Sequence, residues 1–253
     1  MSRKRGTAHR NVHPGKRPSD APRHVEGIDA LRGGAICLMF VYHLCFDLRY
    51  YRAISADFEH DLFWLGFRAL IVTSFLLLVG ISLALASDAH VTPRRFWRRI
   101  AVIAACAAAA TLGSYLLFPD TFIYFGILHC IAVASLLARP FARLPLVAIA
   151  IGTAMIVAGI VWSNPVFDQR QLAWIGFTTH KPATEDYVPL FPWAGFVFAG
   201  IAIGRALIGT GLRAVAPFAR APRWLHFLGQ HSLAIYMIHQ PAFIAVLWLF
   251  LGR

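Results

Sequence analysis

Four residues in one apolar stretch, Asp29, Arg32, His43 and Asp47 of DALRGGAICLMFVYHLCFD, are types that hold anions and move protons. A histidine with an ordinary pKa of about 6.5 takes or gives a proton at neutral pH. A carboxylate one helical turn away can orient its ring and stabilise the imidazolium form, and arginine offers a planar fork to phosphate or carboxylate. At about 100° per residue, the steps from 29 to 32, 32 to 43 and 43 to 47 put all four on one helical face. Arg32 and His43 then stand roughly 16 Å apart along the axis, about half the thickness of a bilayer's hydrocarbon core. A helix N-terminal acid, an arginine snorkelling to headgroups and a carboxylate in water would explain Asp29, Arg32 and Asp47. His43 lies deeper, where ionisable residues face a bundle interior or a water-filled cavity.

The elements that must carry these groups are membrane helices. Of 253 residues, 58% are hydrophobic and only 14% charged, against roughly a quarter charged in soluble domains. Seven apolar runs are expected to span, at 28–46, 62–87, 100–118, 122–138, 144–162, 190–209 and 229–251. The net charge of +12 does not indicate nucleic acid, because the basic residues sit between apolar runs, where they act as topology signals. With the N-terminus inside, 17 of the 24 Lys and Arg fall on the cytoplasmic side, among them Arg94, Arg95, Arg98 and Arg99. The expected fold is therefore an all-α polytopic membrane helix bundle of about seven transmembrane helices, N-terminus in and C-terminus out. Residues 1–25, basic and Pro-rich, read as a disordered cytoplasmic tail, and 26–253 as the transmembrane domain. With no cleavage site after it, the first helix is expected to stay as an anchor. Cys37, Cys45, Cys106 and Cys130 lie inside apolar runs without metal-ligand spacing, so no metal site is expected.

Further polar residues cluster in what would be the outer half. Arg68 lies in the second run at about the depth of His43, His129 in the fourth and His239 in the seventh, two residues before Pro241. Three histidines and an arginine at similar depth suggest a polar cavity opening outward. Tyr236 and Gln240 flank His239 and could line it. The longest external loop, about 163–189, is of a length usually tied to function. It ends in DYVPLFPW, where Asp186 could bind a hydroxyl and Trp193 anchor the interface.

IDALRGGAICLMFVYH resembles the first helix of the heparan-α-glucosaminide N-acetyltransferase catalytic-domain family, including its small bacterial members. It also fits the Arg-x10-His pattern of related membrane acyltransferases, as Arg32 and His43. DYVPLFPWAGFVFAGIAIGR (186–205) and LGQHSLAIYMIHQP (228–241) resemble later blocks of the bacterial members. The resemblance implies a membrane acyltransferase, set in a bacterial inner membrane, that carries an acyl group, usually acetyl, from cytosolic acetyl-CoA to a sugar or glycan acceptor outside. His43 takes the place of the catalytic histidine, and Arg32, with Asp29 beside it, that of the donor-binding arginine.

Acyl transfer requires an acceptor proton removed or a nucleophile that holds the acyl group, and a stabilised oxyanion. His43 is the candidate for the first, oriented by Asp47, with Arg68 or His129 for the oxyanion. Asp186, Trp193, Tyr236, His239 and Gln240 are candidates for the acceptor cavity. Expected partners are acyl-CoA, the acceptor and membrane lipids, with no nucleic acid; a homodimer is left open. The competing reading is a proton-coupled transporter or channel for a small polar solute, since intramembrane His, Arg and Asp also build proton relays. Against it stands the lack of an internal repeat.

Overall fold

The apolar runs become helices, since lipid leaves backbone N–H and C=O groups no partner but each other. The computed structural model describes residues 25–251 and contains α1 (Glu26–Tyr50), α2 (Leu62–Asp88), α3 (Pro93–Leu117), α4 (Ile127–Ala138), α5 (Pro145–Val161), α6 (Arg170–Ala173), α7 (Leu190–Gly209), α8 (Arg223–Gln230) and α9 (Ser232–Leu251). Short 3-10 segments lie at Arg139–Phe141, Pro165–Asp168 and Arg213–Arg220. No strand occurs among the described residues. The tail expected over 1–25 lies outside them except for Val25.

Five helices, α1, α2, α3, α7 and α9, are long and apolar enough to cross a membrane. The 12 residues of α4 and 17 of α5 correspond to roughly 18 and 26 Å, short of a hydrocarbon core of about 30 Å. The fourth expected run loses its first turn because Gly126 starts the helix late, with residues 118–126 held in non-helical contacts to the long loop. The third helix instead begins early, at Pro93, where proline's fixed φ suits the first helical position. Arg94, Arg95, Arg98 and Arg99 therefore sit on its first turns rather than in a linker. The last run divides at His231 into α8 and α9.

Helix α7 is the spine of the bundle and packs against α2, α4 and α5. Its Ala194, Val197 and Ile201 are fully buried. Small residues permit backbone-to-backbone approach. A Cβ on Gly80 would stand 2.0 Å from the Val197 carbonyl oxygen, and one on Gly200 2.3 Å from that of Leu77. Helix α1 packs against α2, α8 and α9, which gives its polar residues neighbours from three helices. Ser74 and Ser82, in the apolar α2, donate back to the carbonyls of Leu70 and Leu78, which keeps their hydroxyls satisfied within the span.

The long loop is folded onto the start of α4. Glu185 N–H donates to the Thr121 carbonyl at 2.9 Å, the Thr184 hydroxyl to the Phe122 carbonyl at 2.8 Å, and Val188 N–H to the Phe125 carbonyl at 3.3 Å. Its first half is closed by Asp168, which accepts from Thr179 N–H at 2.7 Å and from the Thr179 hydroxyl at 2.6 Å.

Candidate functional site

Two polar clusters occupy the two ends of α1. At the N-terminal end, Arg32 Nη1 lies 3.0 Å from Asp29 Oδ1, as the i, i+3 spacing on one face requires. Arg32 Nη2 donates to the Ser82 hydroxyl at 3.0 Å, and Nη1 reaches the Gly229 carbonyl at 3.4 Å. Gln230 Nε2 donates to Asp29 Oδ2 at 3.3 Å. Helices α1, α2 and α8 thus share one guanidinium and one buried carboxylate. Gly229 makes the arrangement possible: a Cβ there would lie 1.8 Å from the Asp29 carbonyl oxygen. Arg99 of α3 lies within electrostatic reach of Arg32. Sequence reasoning missed Ser82, Gly229 and Gln230; only the glycine in the apolar-to-polar LGQH turn hinted at a close approach.

At the other end, the rings of His43 and His239 meet edge to face, with centroids 4.8 Å apart. His239 is buried, and its Nδ1 bonds the Tyr236 carbonyl. Gln240 Nε2 donates to Asp47 Oδ1 at 2.8 Å. The described hydrogen bonds join Asp47 to α9 rather than to His43, so its carboxylate fixes helix packing where an orienting contact to the imidazole was expected. Arg68 donates to the Tyr187 carbonyl at 2.8 Å, and its charge reaches both His43 and Asp186.

Asp186, on the loop, is not a solvated acid. Its Oδ2 accepts from Ile127 N–H at 2.8 Å, and the Tyr236 hydroxyl lies close enough to interact with its carboxylate. It therefore holds one of the unpaired donors at the start of α4, where a helix favours negative charge. Burial pushes its carboxyl above the usual range, opposed by the Ile127 N–H, then by the charges of Arg68 and His129. Gly126 leaves the room this needs, because a Cβ there would stand 2.2 Å from Asp186 Oδ2.

His129 has both nitrogens occupied: Nδ1 accepts from Gly126 N–H at 3.2 Å, and Nε2 lies 3.3 Å from the Thr111 hydroxyl. Since Nδ1 accepts, the neutral ring carries its proton on Nε2 and donates to Thr111. His129 thus ties α3 to the start of α4 and faces a side cavity of about 500 Å³ with Tyr115, Phe122 and Tyr124. It is not among the groups gathered around His43.

Trp193 lines a cleft of about 380 Å³ with Arg68, Thr178, His180, Lys181 and Phe191. Desolvation, and then the charge of Arg68, push Lys181 below the usual lysine range, against the pull of Glu59, Asp186 and Glu185. The cleft places two cations and an indole within reach of one bound molecule. The sequence marked His180 as a polar residue of the long loop, but assigned Lys181 no role beyond its charge. Among the described residues, no group of three or more His, Cys, Asp or Glu side chains could hold a metal.

A helical membrane bundle with an arginine–carboxylate cluster at one end of its first helix and a histidine pair at the other defines a class of integral membrane protein. The sequence profile of the heparan-alpha-glucosaminide N-acetyltransferase catalytic family matches residues 24–241. The chain belongs to that family, a family of membrane acyltransferases. No curated protein and no solved structure matches it.

Proposed function

We propose that the protein moves an acyl group, acetyl in the simplest case, from cytosolic acyl-CoA to a sugar or glycan acceptor on the outer side of a bacterial inner membrane. The observation that carries this reading is that α1 alone supplies both clusters, Arg32 at one end and His43 at the other. Eleven residues of helix separate them by roughly 16 Å, a span that a stretched pantetheine arm can cover. In this reading all seven apolar helices are embedded, with α4 and α5 as short spans, and the N-terminus is cytoplasmic, as the Lys and Arg distribution favours.

The donor's phosphates would bind at the Arg32 end, with Asp29, Ser82 and Gly229 holding the guanidinium still. Arg99, whose charge reaches Arg32, adds positive charge there. The thioester then meets His43, which either takes the acyl group or removes the acceptor's proton. Arg68 spends one donor on Tyr187 and keeps others for a developing oxyanion. The acceptor would enter by the cleft of Trp193, Arg68 and Lys181, and Arg68, whose charge reaches His43, joins that cleft to the histidine pair. Gln240 with Asp47, and Tyr236 beside Asp186, hold α9 against α1 and the loop next to the histidine pair.

The test is release of free CoA from acetyl-CoA by the purified, detergent-solubilised protein, with labelled acetyl-CoA binding followed in the same samples. Wild type binds the donor and releases CoA, whereas His43→Ala binds it and releases none. A well-folded wild type that neither binds nor consumes acetyl-CoA or longer acyl-CoAs sinks the reading.

A further inference from the structure

Helix α9 directs three neighbouring side chains at other elements: Tyr236 at Asp186, His239 at His43 and Gln240 at Asp47. A carbonyl oxygen only accepts, so the bond between His239 and Tyr236 puts a proton on His239 Nδ1. In the neutral ring Nε2 is then a bare lone pair. That Nε2 is buried and has no hydrogen-bond partner among the described residues, and the same holds for Gln240 Oε1 and Asp47 Oδ2. Buried polar atoms are nearly always paired in folded proteins. Three unpaired acceptors beside one histidine pair mark a place where donor hydrogens from a bound molecule would be received.

We infer that His239 is a second catalytic residue, the base that accepts the acceptor's proton at Nε2 and returns it to His43. The inference rests on the acyl-transfer reading above and divides the work between the two rings. His43 attacks the thioester carbonyl through its unprotonated nitrogen. The C–S bond breaks, and the thiolate leaves as CoA thiol with the proton from the other nitrogen of the acylated ring. The acceptor's oxygen or nitrogen then attacks the acyl carbon, and its proton passes to His239 Nε2. The bond between the acyl carbon and His43 breaks, and the departing ring nitrogen takes the proton from His239. Both histidines end neutral, and the acceptor carries the acyl group. The His43 proton now sits on the nitrogen that attacked, and proton exchange with water restores the starting tautomer before the next turnover. The locked tautomer gives His239 this direction, because the Tyr236 carbonyl holds the other proton in place throughout. His129 has no such capacity, with both nitrogens already bonded.

The test uses full-length protein in detergent, [14C]acetyl-CoA, and rapid acid quenching to read label on His43, with water and then hydroxylamine as acceptors. His239→Asn is the informative variant, because its amide N–H can still donate to the Tyr236 carbonyl while the base is gone. His239→Gln serves as its check. Both variants are expected to bind the donor and to label His43. Discharge to water should slow on the order of 10²-fold, since a positioned base is worth about that much or more. Hydroxylamine is a strong nucleophile when neutral and needs no base, so it should discharge wild type and variants within about threefold of one another. The inference is overturned if discharge to water is unchanged, or if hydroxylamine discharge falls in parallel with it. It is also overturned if the variants bind donor but never label His43, or if wild type consumes acetyl-CoA without labelling it. Failure of wild type to bind or consume acetyl-CoA instead removes the acyl-transfer reading itself, and this one with it.

Discussion

Gln240 Nε2 donates to Asp47 Oδ1 across 2.8 Å, joining the middle of α9 to the last turns of α1 from 193 positions away in the chain. This bond and the contact between His43 and His239 lie on adjacent turns of α1, so the packing of α9 sets the spacing of the two imidazoles. Gln240→Leu strands a buried carboxylate, a change that costs about 1–3 kcal/mol, whereas replacing both partners by apolar groups is close to neutral. The thermal midpoint of detergent-solubilised Gln240→Leu should therefore fall, and that of the double variant Asp47→Leu/Gln240→Leu should recover most of the loss. Equal or additive losses in the two would show that the bond contributes nothing.

Arg32 bonds three groups from three helices through one planar fork. Lysine has neither the fork nor the reach to bond all three at once. Arg32→Lys should stay folded, because a cation remains beside Asp29, and should bind labelled acetyl-CoA roughly tenfold more weakly, in line with loss of a charged hydrogen bond. Ser82→Ala, which removes one neutral acceptor, should lose less. Wild-type donor affinity in Arg32→Lys would move the donor site away from this cluster.

Gly229 and Gly34 make a matched pair. A methyl group on Gly34 meets nothing within 4 Å, whereas on Gly229 it would lie 1.8 Å from the backbone oxygen of Asp29. Gly34→Ala should stabilise the protein by about 0.5–1 kcal/mol, as alanine replaces glycine inside a helix. Gly229→Ala forces α8 away from α1 and should cost about 1–3 kcal/mol, the usual range for overpacking. Donor binding should fall with it, since the Arg32 bond to Gly229 and the Gln230 bond to Asp29 both depend on that approach. Comparable thermal midpoints for the two variants would contradict the close approach of α8 to α1.

The first half of the long loop should loosen in acid. The Thr179 hydroxyl and N–H hold the Asp168 carboxyl below the usual carboxylate range, with His180 adding in the same direction. A lowered folded pKa means that the carboxylate's contribution is complete above the unfolded value of about 3.9 and is lost as pH falls through the folded one. Hydrogen exchange at the Thr179 amide should therefore be flat from neutral pH down to about 4, after correction for the intrinsic rate, and accelerate below it. Thr179→Val, which keeps the N–H but removes the hydroxyl, should move that acceleration to higher pH. An identical profile in both proteins would show that Asp168 does not hold the loop.

The sequence alone determined the helices and the content of each helix face. Long apolar runs must close their backbone hydrogen bonds internally in lipid, and the 3.6-residue period put Asp29, Arg32, His43 and Asp47 in one line; the bond between Asp29 and Arg32 is local and follows from that spacing. It misplaced the start of α4 and the break before α9, because those boundaries are set by contacts from the loop at 163–189 and by the docking of α8 on α1. The tertiary structure decided which faces meet. Periodicity says that a histidine faces inward, but not that His239 would meet His43 while His129 turned to Thr111. Nor could a loop position reveal that Asp186 would sit at the start of α4, 59 residues away in the chain. Helix period is a property of near neighbours in the chain, whereas a site built from α1, α2, α9 and a loop depends on the packing of small residues that brings distant segments into contact.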